Sequence, residues 1–290
     1  MSTARTGART GLVGVVVPVV YDLYFSGILG GIAEGVYDED LRLVVWPTRH
    51  EHAREASLLE RMEGTDGVVI VLPEASSEEL LLAASERCPL VVVDPLLPLD
   101  PRIPTVEAAH AAGADQAMQH LLELGHRRIA AITGPPGWVA TEERRNAYRA
   151  ALRAAGVAFD PALEIDADFE VAPGAQAAAA LLELAEPPTA VFSFNDTIAL
   201  GVLRTARQRS LCVPEDLSIV GFDDVTYATV TTPQLTTVRQ PLAEMGRSAV
   251  RMLLRLIAGG GAETLHIQLP TRLVVRESTG PPRNSGVTVR

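Results

Sequence analysis

The sequence has no lysine, only two cysteines and few aromatic residues, and each shortage excludes a class of protein. All 25 basic residues are arginine and stand against 36 acidic residues, so the net charge is −11. Because phosphate contacts need a basic face, this acidic balance argues against nucleic-acid binding by these residues alone. Cys88 and Cys212 are too few for a disulfide framework or a metal cluster. We predict two buried thiols in a reducing cytoplasm.

Long apolar runs and enzyme motifs are also absent. The apolar run at 12–20 is too short to span a bilayer, contains Pro18 and lacks a signal-peptide cleavage pattern. No dinucleotide-binding glycine motif, phosphate-binding loop or nucleophile elbow occurs. The six histidines are scattered, and His50 and His52 do not share a helix face. These absences favour a protein that is not an enzyme and that holds neither metal nor cofactor.

Short apolar runs alternate with helical patterns along the chain. Strands are predicted at 12–18, 41–46, 67–72, 90–94 and 103–106, and a second series begins near Ala108. Ser76 with Glu79 predicts one helix start, and a late strand is predicted at 264–269. Nearly continuous apolar strands indicate parallel sheets covered on both faces. We predict an α/β fold of two doubly wound parallel-sheet lobes.

Polar pairs follow two of the predicted strands in the second series. Asn195-Asp196 follows the strand at 190–194, and Asp223-Asp224 follows the strand at 217–222. In parallel sheets, ligands bind outside the carboxyl ends of the strands. The simpler alternative is a helix cap after the first strand and a turn after the second. We favour that alternative for Asp196 and Asp224, and ligand binding for Asn195 and Asp223.

Aromatic and hydrogen-bonding residues at other predicted strand ends extend this site. Aromatic faces combined with carboxylate, amide and guanidinium groups suit a polyhydroxylated ring, and two closely joined lobes usually share a ligand cleft. Two members have simpler explanations, since Phe25 fits a helix core and Arg144 fits a solvated pair with Glu142 or Glu143. The candidate ligand-binding residues are Tyr24, Phe25, Asp94, Trp138, Arg144, Phe169, Asn195, Asp223 and Gln240.

Motifs spread over residues 11–280 are specific in combination. They are GVVVP at 14–18, LGHRRIA at 124–130, GPP at 134–136, RxxAYRAAL at 144–152, FNDTIALGVL at 194–203, VPEDLSIVGFDD at 213–224, TPQLTTVRQP at 232–241 and LVVREST at 273–279. With these motifs the chain resembles the effector-binding region of the LacI/GalR family of bacterial transcription regulators. The resemblance implies a type I periplasmic-binding-protein-like fold, with three crossovers between lobes around a ligand cleft.

The resemblance also implies effector contacts and domain boundaries. It carries effector contacts to the candidate residues other than Trp138, which lies in the loop where the family varies its specificity. Tyr148 is the helix aromatic four residues after Arg144. Asp22, Pro95 and Ala109-His110 depart from the usual pattern, which puts the identity of the ligand in doubt. The implied domains are a linker remnant at 1–10, an N-terminal lobe at 11–107 plus 241–267, a C-terminal lobe at 108–240 plus 268–280, and a flexible tail at 281–290.

The function implied by the resemblance is small-molecule sensing for transcription control. A sugar or sugar derivative is expected to bind between the lobes of a cytoplasmic homodimer paired through its N-terminal lobes, and to control operator binding. The DNA-reading helix-turn-helix of the family is absent from this sequence, and we expect truncation rather than a natural sensor without it. Two rival interpretations are an extracellular sugar-binding protein of a transporter and a sugar or nucleoside hydrolase using Asp94 or Asp223.

Overall fold

The computed structural model describes residues 9–60, 62, 64–73, 78–260 and 265–283. The first elements are β1 (Leu12–Val17), α1 (Leu23–Tyr37), β2 (Arg42–Pro47), α2 (His52–Glu60), β3 (Gly67–Val71), α3 (Glu78–Arg87), β4 (Leu90–Val93), β5 (Thr105–Ala108), α4 (His110–Glu123), β6 (Ile129–Ile132) and α5 (Val139–Ala154). After a 3-10 turn, Pro161–Leu163, come β7 (Glu164–Ile165), α6 (Val171–Leu182), β8 (Ala190–Ser193), α7 (Asp196–Gln208), β9 (Ser218–Asp223), α8 (Tyr227–Val230), β10 (Thr236–Arg239), α9 (Leu242–Ile257), β11 (His266–Leu269) and β12 (Arg272–Val274).

Several predictions concern residues outside these ranges. They are the helix start at Ser76, the strand start at Thr264, most of the linker remnant at 1–10 and most of the tail at 281–290. Among the described helices, none has the length and apolar character needed to cross a bilayer. Cys88 is buried as predicted, whereas Cys212 is exposed, so the prediction of two buried thiols is wrong for Cys212.

The described residues divide into two units, and the chain passes between them three times. Unit 1 holds the described residues up to Ala108 together with Pro241–Leu269. Unit 2 holds Ala109–Gln240 together with the described residues from Pro270 onward. Each unit contains one six-stranded sheet, ordered β11-β5-β4-β3-β1-β2 in unit 1 and β12-β10-β9-β8-β6-β7 in unit 2. The predicted α/β fold with two doubly wound sheets is confirmed.

The sheet of unit 1 is parallel throughout and buried at its centre. Every residue of β3 and β4 is buried, as expected for strands covered on both faces. Helices α1 and α9 cross closely, because an ideal Cβ on Gly31 would lie 1.9 Å from the carbonyl oxygen of Ala243. Gly31 therefore allows the two helix backbones to pack closely. Gly30 differs, since a Cβ there would meet nothing within 4 Å.

Unit 2 repeats this design with two differences. Its edge strand β12 is antiparallel, and its strand β10 was not predicted from the sequence pattern. β12 pairs antiparallel with β10, so the expectation of an entirely parallel sheet is wrong at this edge. β10 itself was not predicted, because it begins with two threonines rather than an apolar run. Thr236 and Thr237 are fully buried. The backbone N–H of Thr236 donates to Ser278 Oγ over 2.8 Å, and the Thr237 hydroxyl donates to Asp196 over 2.6 Å.

Candidate functional site

The carboxyl ends of β8, β9 and β10 collect three of the candidate residues in unit 2. Asn195 follows β8, Asp223 ends β9 and Gln240 follows β10, and these three strands are neighbours running parallel. Gln240 Nε2 donates to Asp223 Oδ1 over 2.7 Å. The Gln240 N–H also donates to the Asp223 carbonyl oxygen over 3.2 Å. The structure thus places an acid and an amide in direct contact at the sheet edge where a ligand was expected.

Asp223 has an unfavourable backbone conformation and Gln240 an unsatisfied side-chain oxygen, and both features lower the stability of the fold. Asp223 is 7% exposed and has φ 112°, a left-handed conformation that is uncommon for residues other than glycine. Gln240 is 4% exposed, and its Oε1 atom has no hydrogen-bond partner among the described residues. A buried acceptor without a donor costs about 1–3 kcal/mol. An unsatisfied acceptor beside a backbone in an uncommon conformation makes this pair a candidate for ligand binding, because buried side chains are normally satisfied.

Asn195 has a structural duty as well. Its Oδ1 accepts a hydrogen bond from the Ile198 N–H over 2.7 Å and so caps α7. This bond does not use the side-chain Nδ2 group, which carries two donor hydrogens. The capping role, which the sequence left to either member of the Asn195-Asp196 pair, therefore belongs to Asn195.

Asp196 and Asp224 hold the surrounding turns. Asp196 is fully buried and accepts from the Val225 N–H over 3.0 Å and from the Thr237 hydroxyl, so the helix-cap interpretation is wrong for this residue. Burial, followed by the nearby charge of Asp223, raises the pKa of Asp196 well above its usual value. Asp224 has the left-handed backbone of a turn residue, with φ 57°.

Asp224 also forms ion pairs that turn chemistry alone does not predict. Its carboxylate pairs with Arg239, and with Arg276 over 2.5 Å. Two arginines therefore hold the turn that directly follows Asp223, the last residue of β9.

Arg144 is buried in unit 2 at 3% exposure. Its guanidinium donates to the Phe194 carbonyl oxygen and to His110 Nδ1, the latter over 3.1 Å, and its central carbon lies 3.8 Å from the centre of the Phe222 ring. The alternative of a solvated pair is wrong for Arg144. The neighbouring Arg145 pairs with Glu142 instead, over 2.5 Å.

Two side chains beside the candidate set were not predicted as part of this arrangement. His110 fixes Arg144, and its only signal in the sequence is that it departs from the family pattern. Arg145 joins Glu142 to Glu164 and Asp166, at 3.2 Å and 2.5 Å from the latter two. Glu142 Oε1 in turn accepts from the Gly137 N–H over 3.1 Å, next to Trp138. Arg145 thus supports the segment that presents Trp138.

Trp138 and Phe169 form an aromatic pair, with ring centres 5.7 Å apart and an interplanar angle of 52°. Phe169 packs on Gly134, where an ideal Cβ would lie 2.1 Å from the ring atom Cζ. Gly134 therefore leaves room for this ring. Tyr148 lies elsewhere, fully buried in the core, with its hydroxyl donating to the Ile129 carbonyl over 2.9 Å. Burial raises its pKa.

Unit 1 brings three candidate residues together. The Tyr24 hydroxyl donates to the carboxylate of Asp94, which follows β4 with a left-handed φ of 52°. The Tyr24 and Phe25 rings meet edge to face, with centres 5.5 Å apart. Phe25 is 8% exposed on the apolar stripe of α1, which favours the core alternative for this residue. Asp22 caps α1 by accepting from the Tyr24 N–H over 2.8 Å.

The chemistry of these groups is recognition of hydroxyls and amides. Among the described residues, no group of three or more His, Cys, Asp or Glu side chains could hold a metal ion. In unit 2, the hydroxyls of Thr141 and Ser193 are buried and, like Gln240 Oε1, have no partner among the described residues. Carboxylate, amide and hydroxyl groups with nearby aromatic rings match the donors and acceptors of a polyol.

Known proteins place this geometry in a family. A family model described as a periplasmic binding protein-like domain matches residues 118–279. The transcriptional regulator DegA of Bacillus subtilis is 33% identical over 288 residues, which cover 97% of this chain and 84% of the relative. The chain belongs to the LacI family of transcriptional regulators. The repressor CytR of Escherichia coli is 34% identical over 281 residues, which cover 95% of this chain and 80% of the relative.

Solved structures of LacI-family regulators have the same fold. A complex of the regulator CelR with cellobiose has a TM-score of 0.83 and 34% identity, covering 93% of this chain and 85% of that chain. A regulator from Enterococcus faecium with bound ribose has a TM-score of 0.83 and 28% identity, covering 93% of this chain and 99% of that chain. These relatives confirm the prediction of a LacI-family transcriptional regulator rather than an enzyme, and two of the solved structures hold a bound sugar.

Proposed function

We propose that this LacI-family chain binds a small carbohydrate or carbohydrate derivative and thereby controls operator-DNA binding by a separate helix-turn-helix. The observation that carries the proposal is the contact between Asp223 and Gln240 at the carboxyl ends of the strands of unit 2. Both are nearly buried, and Gln240 Oε1 lacks a partner among the described residues. A ligand hydroxyl that donates to this oxygen would satisfy it.

Each candidate residue has a chemical role in this proposal. Asp223 and Gln240 accept hydrogen bonds from sugar hydroxyls, Asn195 donates from Nδ2 while capping α7, and Arg144 donates from its buried guanidinium. Trp138 and Phe169 offer aromatic faces to the C–H side of the ring. In unit 1, Tyr24 and Asp94 offer a phenol and a carboxylate to a hydroxylated ligand, whereas Phe25 packs in the core beside them. The cellobiose and ribose complexes of relatives support a carbohydrate as the ligand.

Ligand binding controls DNA binding only through differential affinity. A ligand shifts a protein between two arrangements by as much as it prefers one of them, typically about 1–3 kcal/mol in coupled systems. We propose that the two arrangements are two states of the protein that bind operator DNA with different affinity. The acting form in this proposal is a homodimer in the cytoplasm, paired through the N-terminal lobes.

A thermal-shift screen tests the binding. Ribose, cellobiose, other sugars, polyols and purines are added to the protein, and a ligand at one hundred times its Kd should stabilise the fold by about 2.7 kcal/mol. Asp223→Ala and Arg144→Ala should abolish the shift, whereas Asp168→Ala, at an exposed acid of unit 2, should keep it. If both site variants respond like the parent, the site is misplaced.

Operator binding tests the control step separately. The full-length regulator is titrated against its operator with and without the stabilising sugar, and the affinity should change at saturating sugar. An unchanged operator affinity would leave a binding protein without the proposed switch.

A further inference from the structure

Three acids lie around the end of β9, and each has different partners. Asp224 is paired with two arginines, Arg239 and Arg276. Asp223 accepts from the amide of Gln240. Asp196 accepts only from neutral groups in the contacts that the structure gives it, the Thr237 hydroxyl over 2.6 Å and the Val225 N–H over 3.0 Å. Among the described residues, no arginine or histidine forms an ion pair with Asp196.

The surroundings of Asp196 offer no compensating charge. Its side chain is fully buried, and an ideal Cβ on Gly221 would lie 2.3 Å from its Oδ1, so glycine makes room for the carboxyl group. Helix α6 and strand β8, which pack against α7, contain no ionisable residue between their ends.

The remaining elements near Asp196 carry other acids, arginines that pair with Asp224, and an exposed tyrosine. β9 contributes Asp223, and the turn after it contributes Asp224. Arg239 of β10 and Arg276 beyond β12 are both paired with Asp224. Tyr227 of α8 is 40% exposed. The charges that reach Asp196 most strongly are therefore those of the two neighbouring acids.

An ionised carboxylate in this place is strongly disfavoured. Burying an unpaired charge costs far more than protonating the group, so such acids neutralise instead. Burial and then the charge of Asp223 both act to raise the pKa of Asp196. A protonated carboxyl also fits the contacts, because a threonine hydroxyl accepts as readily as it donates. Oδ1–H can donate to Thr237 across the same 2.6 Å.

We propose that Asp196 is a positioning residue of the ligand site that keeps its proton in the folded protein, so that the negative charge facing the ligand is on Asp223. The role of Asp196 in a ligand site rests on the proposed function, whereas the protonation of Asp196 does not. Through its two hydrogen bonds Asp196 ties the start of α7 to the turn after β9 and to β10. It thereby supports the left-handed backbone of Asp223, and its neutrality spares Asp223 a second negative charge.

The pH dependence of unfolding tests the protonation without any ligand. In the unfolded chain an aspartate releases its proton near pH 4, whereas folded Asp196 retains it. Between about pH 4 and the raised pKa of folded Asp196, unfolding therefore releases one proton. In this pH range, the ratio of the unfolding equilibrium constant of the wild type to that of Asp196→Asn should rise about tenfold per pH unit, because the variant has no proton to release. Asp168→Asn, at an exposed acid of the same unit, should keep the wild-type slope.

A direct measurement guards against a variant that folds poorly. In wild-type protein labelled with 13C at aspartate carboxyl carbons, one signal, assigned by its loss in Asp196→Asn, should keep the chemical shift of a protonated acid at pH 6. An ionised Asp196 signal at pH 6, or equal unfolding slopes for the wild type and Asp196→Asn, would overturn the proposal.

Sugar binding separates this inference from the proposed function. Ribose and cellobiose are titrated into the wild type, Asp196→Asn and Asp196→Ala at pH 6 and pH 8. For the sugar that binds the wild type, Asp196→Asn should keep the Kd within about threefold at both pH values, a factor equivalent to less than 1 kcal/mol. Asp196→Ala, which loses both tethers, should weaken binding at least tenfold. A large loss in Asp196→Asn contradicts the neutral role, whereas failure of every sugar to bind the wild type contradicts only the proposed function.

Discussion

Units 1 and 2 arrange their strands in the same way and place an acid at the equivalent strand end, but different elements supply its partner. The order β2-β1-β3-β4-β5 in unit 1 corresponds to β7-β6-β8-β9-β10 in unit 2. Asp94 after β4 and Asp223 at the end of β9 are each 7% exposed with a left-handed backbone. The donor to Asp94 is a phenol from α1, whereas the donor to Asp223 is an amide that follows β10.

This comparison separates what the fold determines from what local side chains determine. The sheet topology places an acid outside the carboxyl end of the fourth strand in each unit, where ligands bind in open α/β sheets. The partner of that acid comes from whichever neighbouring element carries a donor. Equivalent acids in the two units therefore share a place at a strand end but not a hydrogen-bond partner.

The helix crossings extend the comparison and provide the largest expected effect. In unit 1, Gly31 faces the Ala243 carbonyl, and in unit 2 a Cβ on Gly201 would lie 2.5 Å from the Val171 carbonyl oxygen. We expect Gly31→Ala and Gly201→Ala each to lower the free energy of unfolding by roughly 3 kcal/mol, because two helix backbones must move apart. Urea denaturation measures this loss.

A matched control lies one residue away on the same helix. Gly30 is exposed, and a Cβ there meets nothing within 4 Å, so Gly30→Ala should stabilise α1 by about 0.5–1 kcal/mol. Equal effects at Gly30 and Gly31 would show that helix propensity, not backbone contact, explains the glycines.

The donors to the two acids provide the next largest effect. Tyr24→Phe removes a donor to Asp94 and should destabilise the protein by about 2 kcal/mol. Gln240→Leu removes a donor to Asp223 together with the unsatisfied acceptor Oε1, so its net loss should be smaller, about 1 kcal/mol. Double-mutant cycles of each donor with Asn at its acid should give coupling energies of similar size in the two units. A coupling near zero in one unit would mean that the contact there contributes nothing to stability and that the comparison fails.

The same contrasts explain which strands and side-chain contacts could be predicted from the sequence alone. Apolar runs such as β4 predict buried parallel strands because sheet burial and hydrophobicity go together. β10 escaped prediction because its buried threonines are satisfied by Ser278 and Asp196, partners distant in sequence. Arg144 and Arg145 are adjacent in sequence, and only the contacts of the folded helix show that the second one pairs with Glu142. The sequence favoured Asp196 over Asn195 as the cap of α7, and only the geometry of the folded chain shows that Asn195 holds this role.

The smallest effect concerns the helix caps at the two sheets. Asn195→Ala and Asp22→Ala each remove a side-chain acceptor from a helix start and should cost about 1 kcal/mol. Asn195→Asp keeps the acceptor but replaces the Nδ2 donor, so it should leave the free energy of unfolding nearly unchanged while it abolishes the sugar-induced thermal shift. Asp22→Asn, the matched change at the cap of unit 1, should preserve both. If Asn195→Asp still responds to sugar like the parent, then Asn195 is only a cap, and the sugar-binding role in unit 2 belongs to Asp223, Gln240 and Arg144 without it.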